Sequence, residues 1–239
     1  MGAIRSAIND AVVTFLWMFC VSTVGAATGI ISSYLGLEGA YYSLVIVTSL
    51  IAFLIFVFEL FAAAIGGASF NPTGTAAFYA AGHGGDTLLS MALRFPAQAI
   101  GAVGGTLAIM EVMPPQYKHT LSGPALKVDL HSGAVAEGVL TFIITLVVLA
   151  IVIKGPRNSI IKVCMLAVST VTLIVTGGSY TGPSMNPVNA FGWAYHDNSH
   201  NTWDHFYVYW VSPFIGAIFA AWVFRVIFPP PSPKKVKKA

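Results

Sequence analysis

Long apolar runs recur along this chain, each close to the thickness of a bilayer. They fall at 8–30, 41–64, 87–110, 132–153, 160–176 and 206–228. Each is near the roughly 20 residues that an α-helix needs to cross a hydrocarbon core, the fifth at the short limit. The first and fourth links, 32–40 and 154–159, are brief, and the third, 111–131, is longer and holds Pro114-Pro115 and Gly123-Pro124. The second and fifth links are too apolar for ordinary loops. They contain GGASFNPTGTAAFYAA (66–81) and GSYTGPSMNPVNAFGWAY (178–195). Each carries Asn-Pro after small residues and then a short apolar helical stretch. An isolated Asn-Pro is a turn signal. Two of them, each opening a half-length helix in matching places, point to broken helices that line a cavity at membrane depth.

The halves repeat. Residues 9–16 (NDAVVTFL) match 136–143 (AEGVLTFI), and 69–73 (SFNPT) match 184–188 (SMNPV), 115 positions later. At that same offset 97–102 (AQAIGA) match 212–217 (SPFIGA). Three spans per half is an odd number, so the second half lies upside down relative to the first. The predicted fold is an all-α membrane protein of six transmembrane helices plus two re-entrant half-helices. It forms one channel domain over 1–239, with inverted repeats at about 8–110 and 132–228 and a Pro/Lys-rich tail at 229–239.

Composition agrees with a membrane protein. Of 239 residues 56% are hydrophobic and 9% charged, against about a quarter charged in soluble domains. The first run is too long for a signal-peptide core and lacks a clear basic flank, so it reads as a span. Cys20 and Cys164 lie inside apolar runs and read as small core residues, not as a disulfide or metal site. With six spans both ends share a side. Ten of the twelve Lys and Arg residues fall there, and only Lys118 and Lys127 fall on the other. Both termini are therefore expected in the cytosol.

The Asn-Pro boxes carry the candidate chemistry. Pro72 and Pro187 suit the first helical position, where a missing N–H costs nothing. Asn71 and Asn186 are then N-caps. Two half-helices meeting N-terminus to N-terminus bring two positive dipole ends to mid-membrane. A backbone N–H holds each carboxamide oxygen, which leaves each NH₂ to donate into a lumen. A water there turns its hydrogens outward, which breaks a proton wire and repels cations. The plainer alternative makes both boxes structural caps in a non-conducting protein. Asp10 and Glu137 are membrane-embedded acids in equivalent places, expected to accept backbone N–H groups of the re-entrant links ahead of serving as an ion relay. Glu59 has no counterpart in the repeat. Gly101 and Gly105 are candidates for a close helix crossing.

With these residues in view, the chain resembles the aquaporin, or major intrinsic protein, family from Asp10 to Arg225. The likeness rests on the acidic-x-x-x-Thr-Phe starts of spans one and four, the two boxes, and Gln98 and Pro213 ahead of Gly101 and Gly216. The first box reads Asn71-Pro72-Thr73, the amino-terminal lead is short, and the tail is PPPSPKKVKKA. These details resemble the plant small basic intrinsic proteins, first subgroup. The resemblance implies a right-handed helical bundle, a homotetramer and water conduction through each protomer, with no cofactor and no enzymatic activity. Most aquaporins have Arg directly after the second box, whereas here Asn189 follows Asn186-Pro187-Val188. Family register puts Ile51, Ile174 and Pro183 at the other positions of the selectivity filter. That filter is apolar with one amide.

The expected function is a passive water channel in the bilayer of an intracellular membrane. Two alternatives are a channel for another small neutral solute, such as hydrogen peroxide or glycerol, and a closed-pore structural protein. Nothing suggests nucleic-acid binding. The tail lysines attract anionic lipid. Lys235 and Lys237 also resemble a dilysine signal for return to the endoplasmic reticulum. His196, His200 and His205, with Asp197 and Asp204, are expected in a wet loop more than in a metal site or pH gate.

Overall fold

The computed structural model describes residues 2–229. Lys235 and Lys237 lie outside the described residues. The chain forms α1 (Ala3–Val21), α2 (Val24–Leu35), α3 (Ala40–Ala64), the half-helix α4 (Pro72–Ala80), α5 (Leu88–Val112) and α6 (Leu130–Leu149). There follow α7 (Ser159–Gly177), the half-helix α8 (Pro187–His196), the single turn α9 (Trp203–Phe206) and α10 (Ser212–Ile227). A π-helical turn at Ala150–Lys154 prolongs α6, and another at Tyr207–Val211 joins α9 to α10. Among the described residues, six helical segments are long and apolar enough to cross a membrane.

Several boundaries differ from the sequence reading for local reasons. The first span begins at Ala3 and runs to Leu35, broken after Val21. At the break the hydroxyl of Ser22 donates to Met18 O and that of Thr23 to Cys20 O, both at 2.7 Å. Such back-bonding loosens a helix turn. The last span begins at Trp203 and crosses the π turn just ahead of Pro213. A wider turn suits a residue that lacks the N–H and clashes with the preceding turn. The third link contains a 3₁₀ turn, Pro115–Thr120.

Small residues set the packing. In α5, a side chain at Gly101 would meet Ala11 O, and one at Gly105 would meet Phe15 O. In α10, a side chain at Gly216 would meet Gly138 O of α6. The pairs α1–α5 and α6–α10 are therefore backbone-to-backbone contacts in equivalent places, where tight packing replaces hydrophobic burial as the adhesive. The half-helices cross between the repeats. Ala77 and Ala81, at the end of α4, pack with Ala217, Ala221 and Phe224 of α10. The α8 residue Gly192 sits against Ala102 O of α5. Each half-helix thus leans on a long helix of the other half.

The outer faces are apolar. Phe53, Phe56, Val57 and Leu60 of α3, and Ile160, Ile161, Val168 and Val175 of α7, are exposed. Such outward apolar surface belongs to an integral, multi-pass membrane protein. Cys164 is on the exposed face of α7, not in the core, while Cys20 is half-buried. Glu59 is also exposed, on α3.

Candidate functional site

The two boxes cap their half-helices alike. Asn71 accepts from Thr73 N at 3.0 Å, and Asn186 accepts from Val188 N at 3.3 Å. Pro72 and Pro187 stand directly after the caps. Both half-helices also end alike, on a residue in the left-handed region. Gly82 has φ 76° and is followed by a bond from His83 N to Phe78 O. Asn198 has φ 54° and is followed by one from Ser199 N to Ala194 O. These are Schellman ends. They limit each half-helix to about half a membrane thickness.

The caps also bind each other's loops. Asn71 Nδ2 donates to Met185 O at 3.1 Å, and Asn186 Nδ2 donates to Phe70 O at 2.9 Å. The arrangement is reciprocal, as a two-fold axis between the halves requires. Two helix N-termini are thereby held facing each other, and their dipoles favour an electron-rich atom between them. One expectation needs correction. The backbone bonds of the two carboxamides are symmetric, but their remaining partners are not, and each NH₂ already gives one hydrogen to a backbone carbonyl. Asn186 Nδ2 makes a second bond, to Asn189 Oδ1 at 3.1 Å, so its NH₂ is not left free.

The embedded acids hold the loops that lead into the boxes. Asp10 Oδ1 accepts from Ser69 N at 2.8 Å. Glu137 Oε1 accepts from Ser184 N at 2.9 Å and from the Thr181 hydroxyl at 3.0 Å, while Oε2 accepts from Met185 N at 3.2 Å. Met185 is buried with φ 49°, a region that costs a side-chain-bearing residue about 1–2 kcal/mol. Glu137 grips that residue directly.

Asp10 also holds a cation that local sequence does not reveal. Arg94 Nε lies 2.7 Å from Asp10 Oδ2 and its Nη2 lies 2.9 Å from Oδ1. Nη1 reaches Asp86 at 2.6 Å, and Gln98 Nε2 donates to Asp10 at 2.7 Å. In the sequence Arg94 enters only among the ten basic residues on the side expected to be cytosolic. Its signal was present: Arg94 and Gln98 are four apart on one helix and so share a face, and a charge inside an apolar span needs a partner. An aromatic brace was also missed. Trp17 stacks on Phe70 with centroids 4.5 Å apart and meets Phe58 edge-on at 5.4 Å, which steadies the carbonyl that Asn186 uses.

The four filter positions are dispersed among different elements. Ile51 is buried on α3 and Ile174 is 37% exposed on α7. Pro183 packs near Gly177, one turn beyond Ile174 on the same face. Asn189 is half-buried on α8 and bonded to Asn186. Thr73 is buried, and its hydroxyl donates to Asn71 Oδ1 at 2.7 Å. The histidines divide. His196 pairs with Asp197 at 2.8 Å at the surface. His205 is buried beside Phe191 and Tyr209, not in a wet loop. Among the described residues no three His, Cys, Asp or Glu side chains converge on a metal position.

Residues 1–224 match the family described as Major intrinsic protein. The chain belongs to that family. Its match to aquaporin SIP1-1 of Oryza sativa subsp. japonica is 62% identical and covers 100% of this chain and 99% of that one. Its match to aquaporin SIP1-1 of Arabidopsis thaliana is 54% identical and covers 100% and 98%. These similarities place it with the small basic intrinsic proteins. The solved structure of the aquaglyceroporin from Plasmodium falciparum has the same fold, with TM-score 0.72, 20% identity and coverage of 95% and 98%. As a major intrinsic protein the chain is a transmembrane channel for small solutes and not an enzyme. Its inverted repeat and paired half-helices are the fold of that channel family.

Proposed function

We propose that this channel passes water, passively and in single file, between the two half-helix N-termini. The carrying observation is the reciprocal capping of Asn71 and Asn186 across the two loops. It fixes two positive helix ends at one level, with one amide hydrogen of Asn71 left to donate. A water there accepts with its oxygen and turns its hydrogens away, so a proton wire is interrupted and cations are repelled. Pro72, Thr73, Pro187 and Val188 shape the two boxes. Ile51, Ile174, Pro183 and Asn189 form the narrow, apolar filter. Asp10 and Glu137 are structural acceptors that hold the loops open. Each protomer of a homotetramer conducts on its own.

The address and orientation follow from charge. Ten of twelve basic residues on one side put both termini in the cytosol. Lys235 and Lys237 return the protein to the endoplasmic reticulum. The variant Lys235→Ala with Lys237→Ala releases a tagged protein from that membrane; continued retention rejects the address.

A second reading has its own support. Asn189 puts a neutral amide where most aquaporins carry Arg, which favours a less polar neutral solute such as hydrogen peroxide or glycerol. Stopped-flow osmotic shrinkage of proteoliposomes separates the two. Fast shrinkage with a low activation energy identifies a water pore. Shrinkage no faster than empty vesicles, with folded and inserted protein, rejects it, and uptake of peroxide and glycerol then divides a solute channel from a closed pore.

A further inference from the structure

The two capping asparagines end up chemically unequal. A carboxamide nitrogen has two hydrogens to donate. Asn71 Nδ2 uses one, on Met185 O at 3.1 Å. Asn186 Nδ2 uses both, on Phe70 O at 2.9 Å and on Asn189 Oδ1 at 3.1 Å. The orientation of Asn186 is forced from both ends. Its oxygen accepts from Val188 N, and its nitrogen must face the Phe70 carbonyl. Asn189 must therefore offer its oxygen, since a flipped amide would set one NH₂ against another. The NH₂ of Asn189 then has no protein acceptor among the described residues, on a half-buried side chain.

The departures from the usual boxes fall on opposite partners. Thr73 adds a donor to the oxygen of Asn71 at 2.7 Å, which leaves the nitrogen of Asn71 untouched. Asn189 adds an acceptor to the nitrogen of Asn186. We infer that Asn189 is a positioning residue that withdraws the second box asparagine from the lumen and presents a substitute donor one helical turn further along α8. Three residues of helix advance about 4.5 Å. The centre of the pore thus offers one donor, from Asn71, and the second donor acts on a different water. This inference rests on the water-channel reading above, which supplies the lumen that the donors face.

The test uses the full chain reconstituted in vesicles, with ¹⁵N-labelled asparagine. Three variants are compared with the parent: Asn189→Leu, of similar size but without the acceptor; Asn189→Ala, smaller and also without it; and Asn189→Asp, which keeps an acceptor. In the Leu and Ala variants a side-chain amide proton resonance of Asn186 shifts, and in Asn189→Asp it remains hydrogen-bonded. Freeing that N–H returns a second donor to the centre. The ratio of proton to water permeability then falls about fivefold in both the Leu and Ala variants, the worth of one net hydrogen bond. An unmoved Asn186 resonance overturns the inference. So does an unchanged ratio, or opposite changes for Leu and Ala, which mark Asn189 as a steric filter instead. If no version outpaces empty vesicles while the Asn186 resonance still shifts, the positioning role stands and the water reading falls.

Discussion

The two re-entrant loops do the same job with different chemistry. The first is tied to Asp10, which is part of a charged network: Arg94 binds Asp10 with two nitrogens and Asp86 with the third, and Gln98 adds a further donor. The second is tied to Glu137, which receives two backbone N–H groups and the Thr181 hydroxyl. At the repeat offset of 115, Tyr209 stands in the place of Arg94, and Pro213 in that of Gln98. The Tyr209 hydroxyl donates to Thr181 O at 3.0 Å, so it steadies the loop backbone and does not touch the acid. An inverted repeat constrains the backbone path and the positions of small residues. It leaves each half free to satisfy its buried acid in its own way, because either solution leaves no acid oxygen without a donor.

That comparison can be broken first at the ion pair. Arg94→Ala leaves Asp10, which is fully buried, without its cation. Removing one partner of a buried pair costs about 3–5 kcal/mol. Thermal unfolding in detergent should show the largest loss of this series, and replacing Asp10 and Arg94 together by Asn and Leu should recover part of it. Recovery by the double change would establish the pair as a local solution and not a requirement of the fold.

Glu137→Ala should cost about 3 kcal/mol, since it strands three buried or half-buried donors. It also releases Met185 from φ 49°. Water permeation should therefore fall more than stability alone explains. Glu137→Gln keeps an acceptor and should restore most of the loss. If Glu137→Gln is as damaged as Glu137→Ala, the charge of the acid matters and not only its oxygens.

The symmetric part of the molecule provides the control. Gly101→Ala and Gly216→Ala each push a methyl group into a facing carbonyl, from Ala11 and from Gly138. Overpacking of this kind costs about 2 kcal/mol. The two variants should lose similar stability, in contrast to the unequal acids. Smallest of all, Thr73→Ala removes the hydroxyl bond to Asn71 Oδ1 and should cost about 1 kcal/mol. The backbone cap from Thr73 N persists, so the half-helix survives. A helicity measurement by circular dichroism should be unchanged while the unfolding midpoint drops slightly.

How far the sequence carried the reading depends on the range of each interaction. The half-helix starts were legible because capping is local: Asn71 and Asn186 are followed at once by Pro and act on N–H groups two residues ahead. The close crossings at Gly101 and Gly216 were legible because a missing side chain in an apolar span has few other uses. The first span, expected over 8–30, extends from Ala3 to Leu35, and its interior break at Ser22 and Thr23 is not legible because hydropathy does not register two hydroxyls inside an apolar run. Polarity near a loop reads as wet, whereas the short helix α9 carries the His205 side chain inward against Phe191 and Tyr209.

By itself the sequence determined that this chain crosses a membrane six times, that it is an inverted repeat, and that two asparagines cap two half-helices at its centre. Those properties follow from periodicity, from hydropathy and from contacts between near neighbours in the chain. Only the tertiary structure decided which groups meet across long separations. Arg94 reaches Asp10, Asn71 reaches Met185, and Asn186 reaches Phe70. It also decided that Asn189 bends back onto Asn186, a contact three residues apart that depends on how Phe70 has already fixed the amide of Asn186. A hydrogen bond has a direction, and that direction is set by the partners at both ends, which only folding brings together.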